Sequence, residues 1–139
     1  MASDEYDKVE LPALTQLQSL GWDYIEGAQL SPDESEERTY LTDVVLESRL
    51  KDAIKRINPW INETNLNQVV RPFIKIQEST LLEANKWVWE SLTQYLSVEQ
   101  DLGKGKKGQT VKVIDFDNPE NNEFLCTNQF KISGVNQNI

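Results

Sequence analysis

The sequence predicts an α+β domain in which N-terminal helices pack on a small sheet. Three observations lead there. Helical periodicity fills most of the chain up to about residue 97, whereas strand-like alternation appears briefly after residue 21 and again after residue 110. A length of 139 residues suits one domain with a single core. The content of 38% hydrophobic and 27% charged residues is that of an ordinary, slightly polar globular protein.

Residues 1–8 read as a flexible N-terminus. "LPALTQLQSLGW" then sets Leu11, Leu14, Leu17 and Leu20 at three-residue steps, with Pro12 tolerable in a first turn and Gly21 fit to stop a short helix. "WDYIEG", Trp22 to Gly27, alternates aromatic or aliphatic with acidic residues, as a short strand does. Residues 28–40 form a charged loop.

"TDVVLESRLKDAIKRINP" is the clearest helix, because Leu46, Leu50, Ala53, Ile54 and Ile57 make one apolar stripe and Asn58-Pro59 stops it. A weaker helix runs from Glu63 to about Arg71, where Pro72 is expected to end it. "TLLEANKWVWESLTQYLS" opens with a capping box of Thr80 and Glu83, and Leu81, Val88, Leu92 and Tyr95 are its expected buried seam. Asp101 to Thr110, "DLGKGKKGQT", is a turn leading out of that helix into a strand. In that strand, "VKVIDF", Val111, Val113 and Asp115 face away from Lys112, Ile114 and Phe116. After a turn at Asn118-Pro119, "FLCTNQFKI" reads as a further strand, with Phe124, Asn128 and Phe130 on one face and Asn128 buried against loop backbone.

Composition removes several kinds of chemistry. There is no histidine, so Ser–His–Asp and Cys–His catalysis and histidine zinc sites are excluded. Cys126 is single, which fits a cytoplasmic protein without an intrachain disulfide. No apolar stretch approaches the roughly 20 residues of a membrane helix, and the acidic "MASDEYDKVE" is not a secretory signal, so no membrane partner is expected. The net charge of −9 opposes nucleic acid, but residues 1–40 hold ten Asp/Glu against Lys8 and Arg38, and the other 99 residues are near neutral.

"GKGKKGQT" is a near miss for a P-loop: Gln109 stands where the phosphate-binding lysine belongs, and no strand precedes it. It reads as a solvated connection, with Lys104, Lys106 and Lys107 left as candidate DNA phosphate contacts. Asp115-x-Asp117 starts like a calcium loop but has Glu120 at the glycine position. Asn118, Asn121 and Asn122 suit turns, whereas Asn128 and Gln129 lie inside an expected strand, where amides brace neighbouring structure.

Four stretches taken together resemble a known family. "LPALTQLQSLGWDYIEG", "YLTDVVLESRLKDAIKRINP", "LLEANKWVWESLTQYL" and, most specifically, "VKVIDFDNPENNEFLCTNQFKISG" resemble, in order, the N-terminal region of the restriction (R, motor and nuclease) subunit of type I restriction–modification enzymes. The resemblance covers nearly the whole chain from Val9 onward. It implies a PD-(D/E)XK nuclease domain, incomplete here over residues 9–139, because the family's catalytic Asp and Glu-x-Lys strands have no counterpart in these residues. On this reading the chain is a fragment, inactive alone, and Asp115 to Phe130 is the strand pair that stacks the catalytic strands. Glu10 matches the family's first-helix glutamate and is the one candidate catalytic and metal ligand, with Asn118, Asn122, Asn128 and Gln129 as structural support. The full subunit is implied to need Mg²⁺ and ATP, to act on DNA with modification and specificity subunits, and to cleave unmodified DNA after translocation; no cofactor is expected on the fragment. The alternative is a non-catalytic module that docks a partner protein through a helical aromatic face of Trp60, Trp87 and Trp89.

Overall fold

The computed structural model describes residues 2–134, with side chains from residue 4. The element order is α1 (Ala2–Glu5), a π-helical turn (Tyr6–Glu10), α2 (Leu11–Ser19), β1 (Asp23–Tyr24), a 3-10 turn (Gly27–Leu30), α3 (Glu47–Ile57), α4 (Glu63–Ile74), α5 (Leu81–Thr93), β2 (Leu96–Asp101), β3 (Lys106–Val111), a second 3-10 turn (Pro119–Asn121) and β4 (Leu125–Cys126). Helices and small sheets coexist, so the α+β class holds. The chain divides into two compact units, Met1–Val44 with Phe124–Ile139, and Val45–Glu123.

In the first unit, residues 2–10 have helical backbone. α2 begins with Pro12 in its first turn and ends before Gly21, whose φ of 97° only glycine adopts readily. β1 pairs in parallel with β4, Asp23 opposite Leu125 and Tyr24 opposite Cys126. The ladder outruns the formal strands, since Asp23, Ile25 and Gly27 donate to the carbonyls of Phe124, Cys126 and Asn128 at 2.8, 3.2 and 2.9 Å. Leu14 and Leu30 are buried, and the Trp22 and Phe124 rings pack 5.2 Å apart. Arg38 comes from the charged loop yet is only 2% exposed. Its guanidinium lies 4.1 Å over the Phe130 ring and donates to the carbonyls of Leu41, Asp43 and Lys131, tying that loop to the C-terminal segment.

The second unit closes its own core from Ile54, Ile61, Leu66, Val69, Val70, Phe73, Val98, Val111 and Val113. Asn58, after α3, explains why that helix stops where the sequence says. Its buried amide donates to Ile54 O and Lys112 O and accepts from Lys112 N, binding both the helix end and the chain after β3. Asn62 caps α4 by accepting from Asn65 N at 2.8 Å, and Thr80 caps α5 by accepting from Glu83 N at 3.1 Å.

Four expectations need correction here. Pro72 sits inside α4, which continues to Ile74: a proline costs one amide bond and a steric push on the preceding turn, and two further residues suffice to let packing of Phe73 decide. The expected seam of α5 holds only at its centre, where Leu92 packs against the core and Val88 is half-buried, while Leu81 is 78% and Tyr95 65% exposed. Trp87, which packs on Phe73 at 5.0 Å, and the buried Ser91 one turn later complete that face. α5 ends at Thr93 and β2 begins at Leu96, where helix was expected to Ser97. β2 pairs antiparallel with β3 from Leu96↔Val111 to Asp101↔Lys106, so Lys106–Thr110, expected as turn, is strand. Finally, "VKVIDF" keeps its alternation, with Val111, Val113 and Asp115 buried and Phe116 exposed, but only Val111 lies in a strand. "FLCTNQFKI" likewise contributes strand only at Leu125–Cys126.

Candidate functional site

Asp115 to Phe130 was expected as one strand pair, but the boundary between units falls inside it, after Glu123. Its two halves surround two different carboxylates. In the first half the Asp115 carboxylate accepts from the backbone of Asp117 (3.1 Å) and Asn118 (3.0 Å) and from Asn121 Nδ2 (3.0 Å). Asn122 accepts from Asp115 N and donates to Asp115 O and Pro119 O. The Asn121 amide, the Asn118 N–H and the Lys112 charge hold the Asp115 carboxyl below its ordinary value, against a smaller opposing effect of burial. This is a closed turn that satisfies itself. Asn118, through its backbone N–H, and Asn122, through its side chain, are thus bonded to Asp115.

The second half reaches Glu10. The Tyr6–Glu10 turn is π-helical, with Leu11 N–H bonding Tyr6 O, and such turns frequently mark functional positions. The half-buried Glu10 carboxylate accepts from Asn128 Nδ2 at 3.1 Å through Oε2 and from Gln129 Nε2 through Oε1. Asn128 Oδ1 in turn accepts from the Tyr24 hydroxyl at 2.7 Å. Burial, with the Glu26 charge next, pushes the Tyr24 phenol above its ordinary value against the Asn128 bond, so it is a donor at neutral pH. Asn128 is thus bonded to side chains and not to loop backbone, and Phe124, at 39% exposure, is not fully in the core.

The local backbone explains the convergence. Gln129 has φ 52°, the only non-glycine residue with positive φ among those described. In a regular strand Asn128 and Gln129 would point to opposite faces; the left-handed residue, at a cost of about 1 kcal/mol, lets both amides meet one carboxylate. Gly27 makes the approach possible. A Cβ there would lie 2.1 Å from Asn128 O and 2.5 Å from Gln129 O.

Of the residues singled out from the sequence, the fold joins Glu10, Asn128 and Gln129; Tyr24 and Gly27, not singled out there, meet the same segment. Their only signal was their place in "WDYIEG", the strand that pairs with the Asn-Gln segment. Lys104, Lys106 and Lys107 lie in the other unit, on the β2–β3 hairpin, exposed, with Lys106 Nζ 3.9 Å from Glu99. The hairpin turn is built by Asp101, which accepts from Gly103 N and Gly105 N, and by positive φ at both glycines. It is not a phosphate loop.

For the Mg²⁺ that the resemblance implies, Glu10 is a fit single donor. A carboxylate has about four lone-pair positions, and the two amides use two. No group of three Asp, Glu or Cys side chains able to hold a metal occurs among the described residues, so these residues do not form a complete site.

The described residues thus form an α+β chain in which two amides from a distant segment hold one carboxylate. Comparison with known sequences specifies it: the chain belongs to the family described as the type I restriction enzyme R protein N terminus, matched over residues 3–139. It is similar to a putative type I restriction enzyme MjaIXP endonuclease subunit of Methanocaldococcus jannaschii, 35% identical over 130 residues, or 94% of this chain and 12% of that protein. It is also similar to the type I restriction enzyme HindI endonuclease subunit of Haemophilus influenzae, 31% identical over 125 residues, or 89% of this chain and 12% of that protein. The chain therefore spans about an eighth of the length of these relatives. No solved structure matches it.

Proposed function

We propose that this chain is the N-terminal part of a type I restriction R subunit and supplies scaffold to that subunit's nuclease domain. The match to the family over nearly every residue carries this reading, together with relatives named as endonuclease subunits. In it, the complete cytoplasmic subunit works with modification and specificity subunits, translocates DNA at the expense of ATP and cleaves unmodified DNA with Mg²⁺. The nuclease domain is of the PD-(D/E)XK kind. Glu10 contributes one oxygen donor to its metal site, and the Asp and Glu-x-Lys carboxylates, which no stretch of these 139 residues matches, come from elsewhere in the subunit. The lysines of the β2–β3 hairpin give sequence-independent phosphate contacts.

The docking-module alternative loses two of its three anchors, because Trp60 and Trp87 pack against the core of the second unit and only Trp89, at 67% exposure, stands free of it. The test is Glu10→Ala in a complete R subunit within the assembled enzyme. Cleavage should fall by about 100-fold or more, as when a metal ligand is lost, while ATP hydrolysis continues. Cleavage at the unaltered rate would remove Glu10 from the metal site.

A further inference from the structure

We propose that Tyr24, Asn128 and Gln129 are positioning residues that fix the Glu10 carboxylate for a hard divalent cation, through an amide clamp that exists only because Gln129 departs from strand geometry. The inference rests on the reading of Glu10 as a metal-site residue and adds how that residue is held.

The geometry is specific. Each Glu10 oxygen takes one amide N–H, from consecutive residues, so the carboxylate can neither rotate about its own axis nor swing away without losing both bonds. Asn128 is itself oriented. An asparagine amide can turn over and present either end, but the Tyr24 hydroxyl donates to Oδ1 at 2.7 Å and thereby directs Nδ2 to Glu10. Turned over, the amide would set its oxygen against the carboxylate and its NH₂ against a donor. A phenol 104 residues away in sequence from Asn128 thus sets the sign of the contact.

The choice of amides also matters. A lysine or arginine at these positions would hold Glu10 equally well but would cancel its charge. Neutral donors fix the direction of the lone pairs and leave the full negative charge for a cation, which is what outer partners of a ligating carboxylate do. The left-handed Gln129 supports the same conclusion. Nothing in the β1–β4 ladder needs it, since the last ladder bond, Gly27 N to Asn128 O, precedes it; its consequence is to bring the second amide to Glu10.

Two measurements test this. In the ¹⁵N-labelled 139-residue chain, Glu10→Ala should move the side-chain amide signals of both Asn128 and Gln129, whereas Tyr24→Phe, which deletes one oxygen, should move that of Asn128 and leave that of Gln129. Amide signals indifferent to Glu10→Ala would overturn the clamp. In the complete subunit, Gln129→Gly should raise the Mg²⁺ concentration for half-maximal cleavage about tenfold or more, and Tyr24→Phe should raise it less. Because glycine accepts a φ of 52° freely, Gln129→Gly should keep or raise the melting temperature of the 139-residue chain. A role that is only structural gives the reverse pattern, a lower melting temperature with an unaltered Mg²⁺ requirement, and that result would sink the proposal. The underlying reading fails separately: it falls if Glu10→Ala leaves cleavage intact. If Glu10→Ala abolishes cleavage while Gln129→Gly and Tyr24→Phe keep the ordinary Mg²⁺ requirement, that reading stands and the clamp does not.

Discussion

Replacing Gly27 with alanine should be among the most damaging small changes available to the first unit. The added Cβ would fall 2.1 Å from Asn128 O, 2.5 Å from Gln129 O and 2.6 Å from Gln129 C, where real Cβ atoms keep at least 3.0 Å. All three obstacles are backbone, so no side chain can swing aside. The 128–129 segment must retreat by about 0.9 Å, which stretches the 2.9 Å bond from Gly27 N to Asn128 O to about 3.8 Å and breaks it. The lost bond costs about 1 kcal/mol net and the strained repacking about 1–3 kcal/mol more, for a total of about 2–4 kcal/mol. At about 4–8 °C per kcal/mol for a unit of this size, the melting temperature of the first unit should drop by about 8 °C or more. The assay is thermal unfolding followed by near-UV circular dichroism, paired with hydrogen exchange at residues 25 and 27, whose amides bond Cys126 and Asn128. Gly108→Ala is the control, because its Cβ would meet only Ser97 Oγ at an ordinary 3.6 Å. If Gly27→Ala melts and exchanges like Gly108→Ala, the close approach of residues 27 and 128 is wrong, and so is the account of how Asn128 and Gln129 reach Glu10.

Three further outcomes are expected. The purified 139-residue chain should not nick plasmid DNA with any divalent metal, since Glu10 alone does not hold Mg²⁺ in cleavage geometry; metal-dependent nicking by the pure chain would refute this. Trp87→Ala should destabilise the second unit by about 2–4 kcal/mol through loss of its packing on Phe73, whereas Trp89→Ala should stay within about 0.5 kcal/mol in denaturant unfolding. Asp115, with its carboxyl below the ordinary 3.8, contributes stability that is fully present above about pH 3.8 and is lost as pH falls toward its native value; Asp115→Asn should remove that acid-side dependence from stability-versus-pH curves.

What the sequence reveals depends on whether a signal is local. α3 is legible because its stripe has one face and Asn58-Pro59 follows it; the Thr80 cap is legible because its partner is three residues away. The buried face of α5 is legible only at Val88 and Leu92, because "LLEANKWVWESLTQYL" is apolar on several sides and Phe73, on another helix, selects Trp87. β2 is hidden for the same reason, since a single apolar residue, Val98, lies in its interior and pairing with β3 decides the conformation. Arg38 shows the limit most plainly. Nothing in "SPDESEERTY" distinguishes the one charge that stacks on Phe130 and is buried from the charges around it. At the candidate site, resemblance located Glu10 and composition located the two amides, but a regular strand would have sent those amides to opposite faces. The φ of Gln129 joins them, and no pattern of residue types encodes it.

The asparagines and glutamine of Asp115 to Phe130 share one chemistry put to two ends. Both sets hold a carboxylate with neutral donors, yet the carboxylates differ in what they have left to offer. Asp115 is 6% exposed, and its oxygens take bonds from the backbone two and three residues ahead and from Asn121 within the same turn, so its charge is consumed in closing that turn. Glu10 is half-buried, its donors come from residues 118 and 119 positions away, and each oxygen keeps a free acceptor position. A carboxylate that closes a turn needs only local partners, because its purpose is met within the turn. Glu10 is held by a distant segment, with a left-handed residue and a glycine at the crossing, and its remaining acceptor positions are not used within that segment. That difference in partners is the observation on which the proposed metal role of Glu10, and not of Asp115, rests.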